Sequence, residues 1–184
     1  MTLDPLLPRR LDPLRALATD WSVNDSVVAK ATVTAYRILC TARRFNTVVR
    51  LVLAPLTVPC MMFLRFIMNN RMSPTTIIGP GLRVPYGATG SGTHPRTVIG
   101  SYFTLYPNVT IGSRGDGYPT MGNHVTVGTR ARVLGGVHIG DFTEVCAGSV
   151  AIKDSAPYSR LVGVPARPVS ETGVSSPWGD RPIQ

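Results

Sequence analysis

Three histidines, His94, His124 and His138, are the side chains of this 184-residue chain best suited to exchange a proton near neutral pH. A side chain of that kind can act as a general base, taking the proton of a hydroxyl or amine as it attacks. The histidines lie 30 and 14 residues apart, which is no ligand motif, and a metal site is not expected from them. Cys40, Cys60 and Cys146 are odd in number and form no CxxC pair. Neither a disulfide framework nor a cysteine-rich zinc site is written there, and a reducing, cytoplasmic setting is the reading.

The chain is 43% apolar and 16% charged, a globular composition long enough for one domain and an appendage. Net charge is +9, and residues 1 to 74 hold ten basic and four acidic residues against nine and six in the remainder. No basic run interleaved with aromatics accompanies this excess, so nucleic acid is not read as a partner. The longest uncharged apolar stretch, Leu51 to Leu64, is short for a bilayer span and broken by Pro55 and Pro59. The start carries Asp4 and prolines in place of a basic region and apolar run, and no export signal is read.

Texture divides the chain into a helical region (1–74), a repeat region (75–168) and a Ser/Gly/Pro-rich tail (169–184). Residues 1–24 read as irregular or one short helix. From a cap at Asp25 or Ser26, Val28, Ala31, Ala35, Ile38 or Leu39, and Ala42 recur at helical spacing, and the pattern ends near Arg43 and Arg44. A second helix is expected to start around Pro59 and run through Met61, Phe63, Leu64, Ile67 and Met68 to Asn69 and Asn70. It packs on the rest of the protein or a neighbouring subunit, with peripheral contact to a membrane as the alternative.

From residue 75 the spacing changes to six. Ile99, Leu105, Ile111, then after an insertion Met121, Val127, Val133, Ile139 and Val145, occupy one phase, continued more weakly by Ala151 and Pro157. Gly100, Gly112, Gly122, Gly128 and Gly140 follow directly, where glycine is expected to turn a corner. Val109, Val125, Ala131, Val137, Thr143 and Ser149 supply a small or β-branched fifth position. This period fits short parallel strands stacked rung on rung, with both positions facing the interior.

These hexads resemble the left-handed parallel β-helix of hexapeptide-repeat acyltransferases. Val162-Gly163-Val164-Pro165-Ala166-Arg167, with upstream Ala147-Gly148-Ser149-Val150, is similar to the closing signature of the serine acetyltransferase branch. Asp20-Trp21 with Asn24, and Ile78-Gly79-Pro80-Gly81-Leu82-Arg83, resemble the helical lead-in of the polysaccharide-biosynthesis type. The resemblance implies a mainly β protein behind an α-helical N-terminal region. It further implies a homotrimer, with acetyl-CoA as donor in a groove between subunits and a serine-like amino acid or a sugar as small-molecule acceptor. A catalytically silent relative, binding CoA or a partner, is the alternative.

The same resemblance places the family's catalytic His at Gly87, in Tyr86-Gly87-Ala88-Thr89-Gly90, and its second His near Tyr118. His94, seven residues past Gly87, is the replacement candidate for the base. Ala147, Gly148, Gly163 and Ala166 are the expected bed for pantetheine, and Lys153 and Arg167 the cations for its phosphates. Tyr86, with Asp116 and Tyr118 of the register-breaking insertion Ser113 to Tyr118, are the acceptor-contact candidates. His124 and His138 fall in different hexad phases and are expected to be solvated.

Overall fold

The computed structural model describes residues 12–169. Expectations for residues 1–11 and for the tail from Ser170 onward lie outside the described residues. Stacked rungs follow directly from the six-residue period, because every sixth residue returns to the interior of a three-sided coil. The first coil holds β1 (Arg71–Met72), β2 (Ile77–Ile78) and Arg83, which bridges to the strand above. Then follow β3 (Gly92–Thr93), β4 (Val98–Ile99) and β5 (Thr104–Leu105); β6 (Thr110–Gly112), β7 (Thr120–Met121) and β8 (Thr126–Val127); and β9 (Arg132–Leu134), β10 (His138–Ile139) and β11 (Glu144–Val145). The last coil runs from β12 (Val150–Ala151) to a closing hairpin of β13 (Arg160–Gly163) and β14 (Ala166–Pro168).

All pairings between these strands except that hairpin are parallel, in three sheets: β1-β3-β6-β9-β12, β2-β4-β7-β10 and β5-β8-β11-β13-β14. These are the first, second and third faces of a left-handed parallel β-helix. First, second and third corners follow each face in turn.

The repeat positions from Ile99 to Ala151 all face the interior and are buried, as are the small fifth positions from Val109 to Ser149. Met72, Ile78 and Val84 extend the interior below Ile99, so the solenoid begins at Arg71. Pro157 departs from the expectation and is exposed. Ser155, two residues earlier, bridges to Ile139, which shortens the last coil and makes Leu161 the next interior residue.

Corner glycines also differ from expectation. Gly100, Gly122, Gly128 and Gly140 have no left-handed φ. A Cβ on Gly100 would stand 2.6 Å from the Gly122 carbonyl oxygen, and one on Gly128 would stand 2.7 Å from Ala147 N. Glycine is required there because the next rung passes too close for a side chain. Left-handed angles are instead taken by Tyr102, His124, Phe142 and Tyr158, with φ of 55–58° on the second corner. Their rings stack at 4.8, 4.6 and 4.9 Å, the spacing of neighbouring strands. His124 is therefore sandwiched, not solvated.

Helices cap the first coil. They are α1 (Pro13–Val23), α2 (Val27–Ala42), α3 (Thr47–Val52) and α4 (Ala54–Met62), the last continuing into a π-helical turn at Phe63–Ile67. Ser26 caps α2, accepting from Ala29 N at 3.1 Å. The buried face of α2 keeps the expected Ala35 and Ala42 but otherwise lies on Ala29, Val33, Tyr36 and Arg37, leaving Val28 and Ala31 exposed. Its reason is Arg37, drawn inward by a carboxylate. α4 starts at Ala54, with Pro55 rather than Pro59 in its first turn.

That carboxylate belongs to Asp20. Arg37 Nε donates to Asp20 Oδ2 at 2.7 Å and Arg37 Nη2 to Oδ1 at 3.1 Å, while the same guanidinium bonds the carbonyls of Ile78 and Gly79. Asp20 Oδ1 also accepts from Gly81 N and Leu82 N. Asn24 joins in, donating to Leu82 O and accepting from Val84 N. Burial opposes the charge on Arg37, but the Asp20 carboxylate raises its pKa overall. Removing one partner leaves the other buried and charged. Asp20→Ala is expected to lower stability by roughly 3–5 kcal/mol, read from urea unfolding midpoints, with Asp20→Ala/Arg37→Met recovering part of it. A change within about 0.5 kcal/mol for Asp20→Ala would contradict the clamp.

Candidate active site

The first corner carries a cluster of three side chains. His94 follows β3 directly, and its ring stacks on Tyr118 at 4.7 Å with 25° between planes. Arg96 lies against the same phenol, donating from Nη1 to the Tyr118 hydroxyl at 3.0 Å with its Cζ 5.1 Å from the ring centre. A threonine hydroxyl and a backbone amide hold His94 from two sides. Its carbonyl accepts from Thr76 Oγ1 at 2.9 Å, and its Nδ1 accepts from Arg96 N at 3.2 Å. With Nδ1 so occupied, a neutral imidazole carries its hydrogen on Nε2.

Tyr118 arrives there because the insertion folds back on its own solenoid. Arg114 and Gly117 exchange backbone hydrogen bonds at 3.3 Å, forming a tight turn with Gly115 and Asp116 at its exposed tip. Gly117 packs against Gly135 and Gly136 of the next coil. Lys153 lies on the same corner, exposed on the last coil.

Gly87 lies on the third corner, in a kinked turn at Pro85–Ala88 whose central residues are not helical. Tyr86, Gly87 and Ala88 all have positive φ. A Cβ on Gly87, at φ 68°, would meet the Met68 methyl and lie 3.1 Å from Thr32 Oγ1 and Val28 Cγ1. A side chain at this position is crowded by Met68, just past the π-helical turn, and by Val28 and Thr32 of α2, so an imidazole there must displace Met68. Tyr86 points outward and is exposed.

Further along, Arg83, Thr104, Tyr106, Thr126, Glu144 and Ala147 line a groove of about 330 Å³ on the third face, with Gly128 and Thr129 at its corner edge. The Thr104 hydroxyl is buried with no hydrogen-bond partner among the described residues. Glu144 pairs with Arg160 at 3.5 Å. Ala147 and the adjacent Gly148 are exposed, and a Cβ on Gly148 would meet nothing within 4 Å. The closing hairpin sets Gly163 opposite Ala166, beside an exposed Arg167, and Gly163 N donates to Ser149 Oγ at 3.1 Å.

The candidate residues thus divide between two corners. His94, Asp116, Tyr118 and Lys153 lie on the first; Tyr86, Ala147 and Gly148 lie on the third, with Gly163, Ala166 and Arg167 at the closing end. Arg96 was missed, as were the outward side chains of the third face. Thr126 and Glu144 are one coil apart, and that interval, followed back across the insertions, leads to Thr104 and Arg83. His124 and His138 lie on separate corners and faces. Burial between its ring neighbours pushes the His124 imidazole down, against an opposing pull from Asp141. His138 is exposed, with Nδ1 3.1 Å from Thr120 Oγ1. Among the described residues no three His, Cys, Asp or Glu side chains gather where they could hold a metal ion. Burial pushes the Cys40 and Cys60 thiols up, away from the thiolate a nucleophile requires.

No family model matches the chain. The serine acetyltransferase of Helicobacter pylori strain J99 is 35% identical over 111 residues, covering 58% of this chain and 64% of that one. The serine acetyltransferase of Synechococcus elongatus is 32% identical over 114 residues, covering 60% and 46%. The chain therefore spans less than two thirds of these curated relatives. A solved serine acetyltransferase in complex with CoA superposes with a TM-score of 0.65 at 24% identity, over 78% of this chain and 58% of that one. In fold, and in sequence over more than half its length, this protein resembles the serine acetyltransferase branch of the hexapeptide-repeat acyltransferases.

Proposed function

We propose that the protein is a CoA-dependent acyltransferase that moves an acetyl group from acetyl-CoA to the hydroxyl of serine. The observation carrying this reading is the division of its candidate residues between two corners, on the scaffold of proteins named for that reaction. Two corners of one prism are separated by a full face. A single site can use both only where the first corner of one copy meets the third corner of the next, as in a closed rotational trimer. Pantetheine then lies along the small residues Ala147, Gly148, Gly163 and Ala166, with Lys153 and Arg167 facing its phosphates. Tyr86 borders the acceptor from one copy, and Asp116 and Tyr118 from the other.

In the transfer the serine oxygen attacks the thioester carbon, the carbon–sulfur bond breaks, and CoA leaves as the thiol. The serine proton passes through a base to the departing sulfur. His94 takes this role once its Nδ1 bond to Arg96 N is released and the ring presents a free nitrogen. Giving up one neutral hydrogen bond costs about 1 kcal/mol. That is small beside the 8 kcal/mol or more, on the order of a modest enzyme's effect, that the site must supply. The bond therefore does not disqualify the residue.

One observation favours a second reading, a silent relative that binds CoA or a partner. The turn around Gly87 is rebuilt, not simply stripped of a side chain. Gly87→His is expected to lose roughly 1–3 kcal/mol of stability in thermal unfolding without raising turnover, since it combines left-handed strain with displacement of Met68. A stable, faster variant would contradict the packing argument.

Thiol release from acetyl-CoA, with and without L-serine, separates the two readings. The enzyme reading predicts serine-dependent release that His94→Ala lowers roughly 10²- to 10⁴-fold, with the calorimetric CoA affinity unchanged. Binding of CoA with no serine-dependent release, in the native protein as in His94→Ala, would establish the silent reading.

A further inference from the structure

Between Arg43 and Ile67 only Leu64 is buried, although the segment is among the most apolar in the chain. Leu51 is 75% exposed, Val52 73%, Phe66 80% and Ile67 71%, and Val48 and Met62 are exposed with them. So much apolar surface in water is unusual for a folded protein and marks a face that something covers. Leu64 anchors the segment in the core, so the face belongs to a folded unit.

Charge identifies the cover. Arg43, Arg50 and Arg65 line, with Leu51, Val58 and Met61, an open groove of about 550 Å³ between the end of α2 and the α3–α4 pair. No acidic residue occurs anywhere between Asp25 and Asp116 in the sequence. A twofold contact between two copies of this face would set the same arginines against each other with no carboxylate of the segment to pair them. An anionic layer with an apolar interior satisfies both the guanidinium groups and the exposed side chains. No described helix is long and apolar enough to cross a membrane, and α3 and α4 are only 6 and 9 residues long.

We propose that this face, residues 43–67, docks the protein on the surface of an anionic lipid bilayer. The apolar side chains enter the boundary between headgroups and acyl chains, and the three arginines pair with lipid phosphates. The chain lies on the membrane without spanning it. This inference is independent of the acyl-transfer reading.

Flotation of the full chain with vesicles of phosphatidylcholine, with and without phosphatidylglycerol, tests the proposal. Binding is expected to the anionic vesicles alone and to weaken as salt is raised. Arg43→Gln/Arg50→Gln/Arg65→Gln is expected to lower partitioning roughly a hundredfold, at about fivefold per arginine. Independently, Phe66→Ser/Ile67→Ser is expected to lower it at least about tenfold, with the thermal unfolding of the native protein retained because both side chains are exposed. Absence of binding to anionic vesicles, equal binding to neutral ones, or partitioning unaffected by the arginine changes would overturn the proposal. So would a self-association in sedimentation that Phe66→Ser/Ile67→Ser abolishes while vesicle binding persists, since a second copy would then be what covers the face.

Discussion

Each turn of this chain must lie against the previous one at the distance between hydrogen-bonded strands, and nearly every other feature is a consequence. The stacked rings of Tyr102, His124, Phe142 and Tyr158 report that distance directly, at 4.6–4.9 Å. At this spacing an interior position admits one aliphatic side chain per rung, and the rung above leaves no space for a Cβ at Gly100 or Gly128. A residue's position within its hexad then decides its face or corner. Chemistry is distributed by the same rule: groups at the first corner and groups at the third cannot meet within one copy.

A stack of parallel rungs has an open end, where backbone groups lose their neighbours. Here the end is closed by an ion pair and an amide reaching from the helices. Asp20 satisfies two backbone N–H groups of the first coil, Arg37 satisfies two carbonyls, and Asn24 satisfies one of each. The two charges neutralise one another in a place that could not hold either alone. This clamp also explains the reshaped third corner. With α2 held against the coil by Arg37, Val28 and Thr32 lie against the turn at Gly87, and together with Met68 they crowd any side chain there.

The interior was legible because its signal repeats. One phase of aliphatic residues and one of small residues mark the rungs from Ile99 to Ala151, and both are buried. Pro157 was not legible, since a shortened last coil changes the phase without a mark in composition. The glycines were read at the right places for the wrong reason, because contact with the next rung is not a local property. The burial of Arg37 on α2 escaped for a similar cause: it reads as polar and outward, until Asp20 supplies its counter-charge 17 residues away. At the site, His94 and Tyr118 could be named from sequence, but their stacking could not, as it depends on an insertion folding back on its own coil. Arg96 carried no signal of its own.

The proposed site draws on the first corner of one chain and the third corner of another. Mixing two defective proteins tests it most directly. His94→Ala removes the first-corner group, and Ala147→Trp fills the groove beside the third corner; each alone should show serine-dependent thiol release at least about a hundredfold below the native rate. After dissociation and reassembly at equal amounts, a rotational trimer contains intact composite sites in about one quarter of positions. Recovery to about one quarter of the native rate is the predicted result. A mixture that stays inactive, although shown to have exchanged subunits and although the native protein turns over, would contradict the shared site.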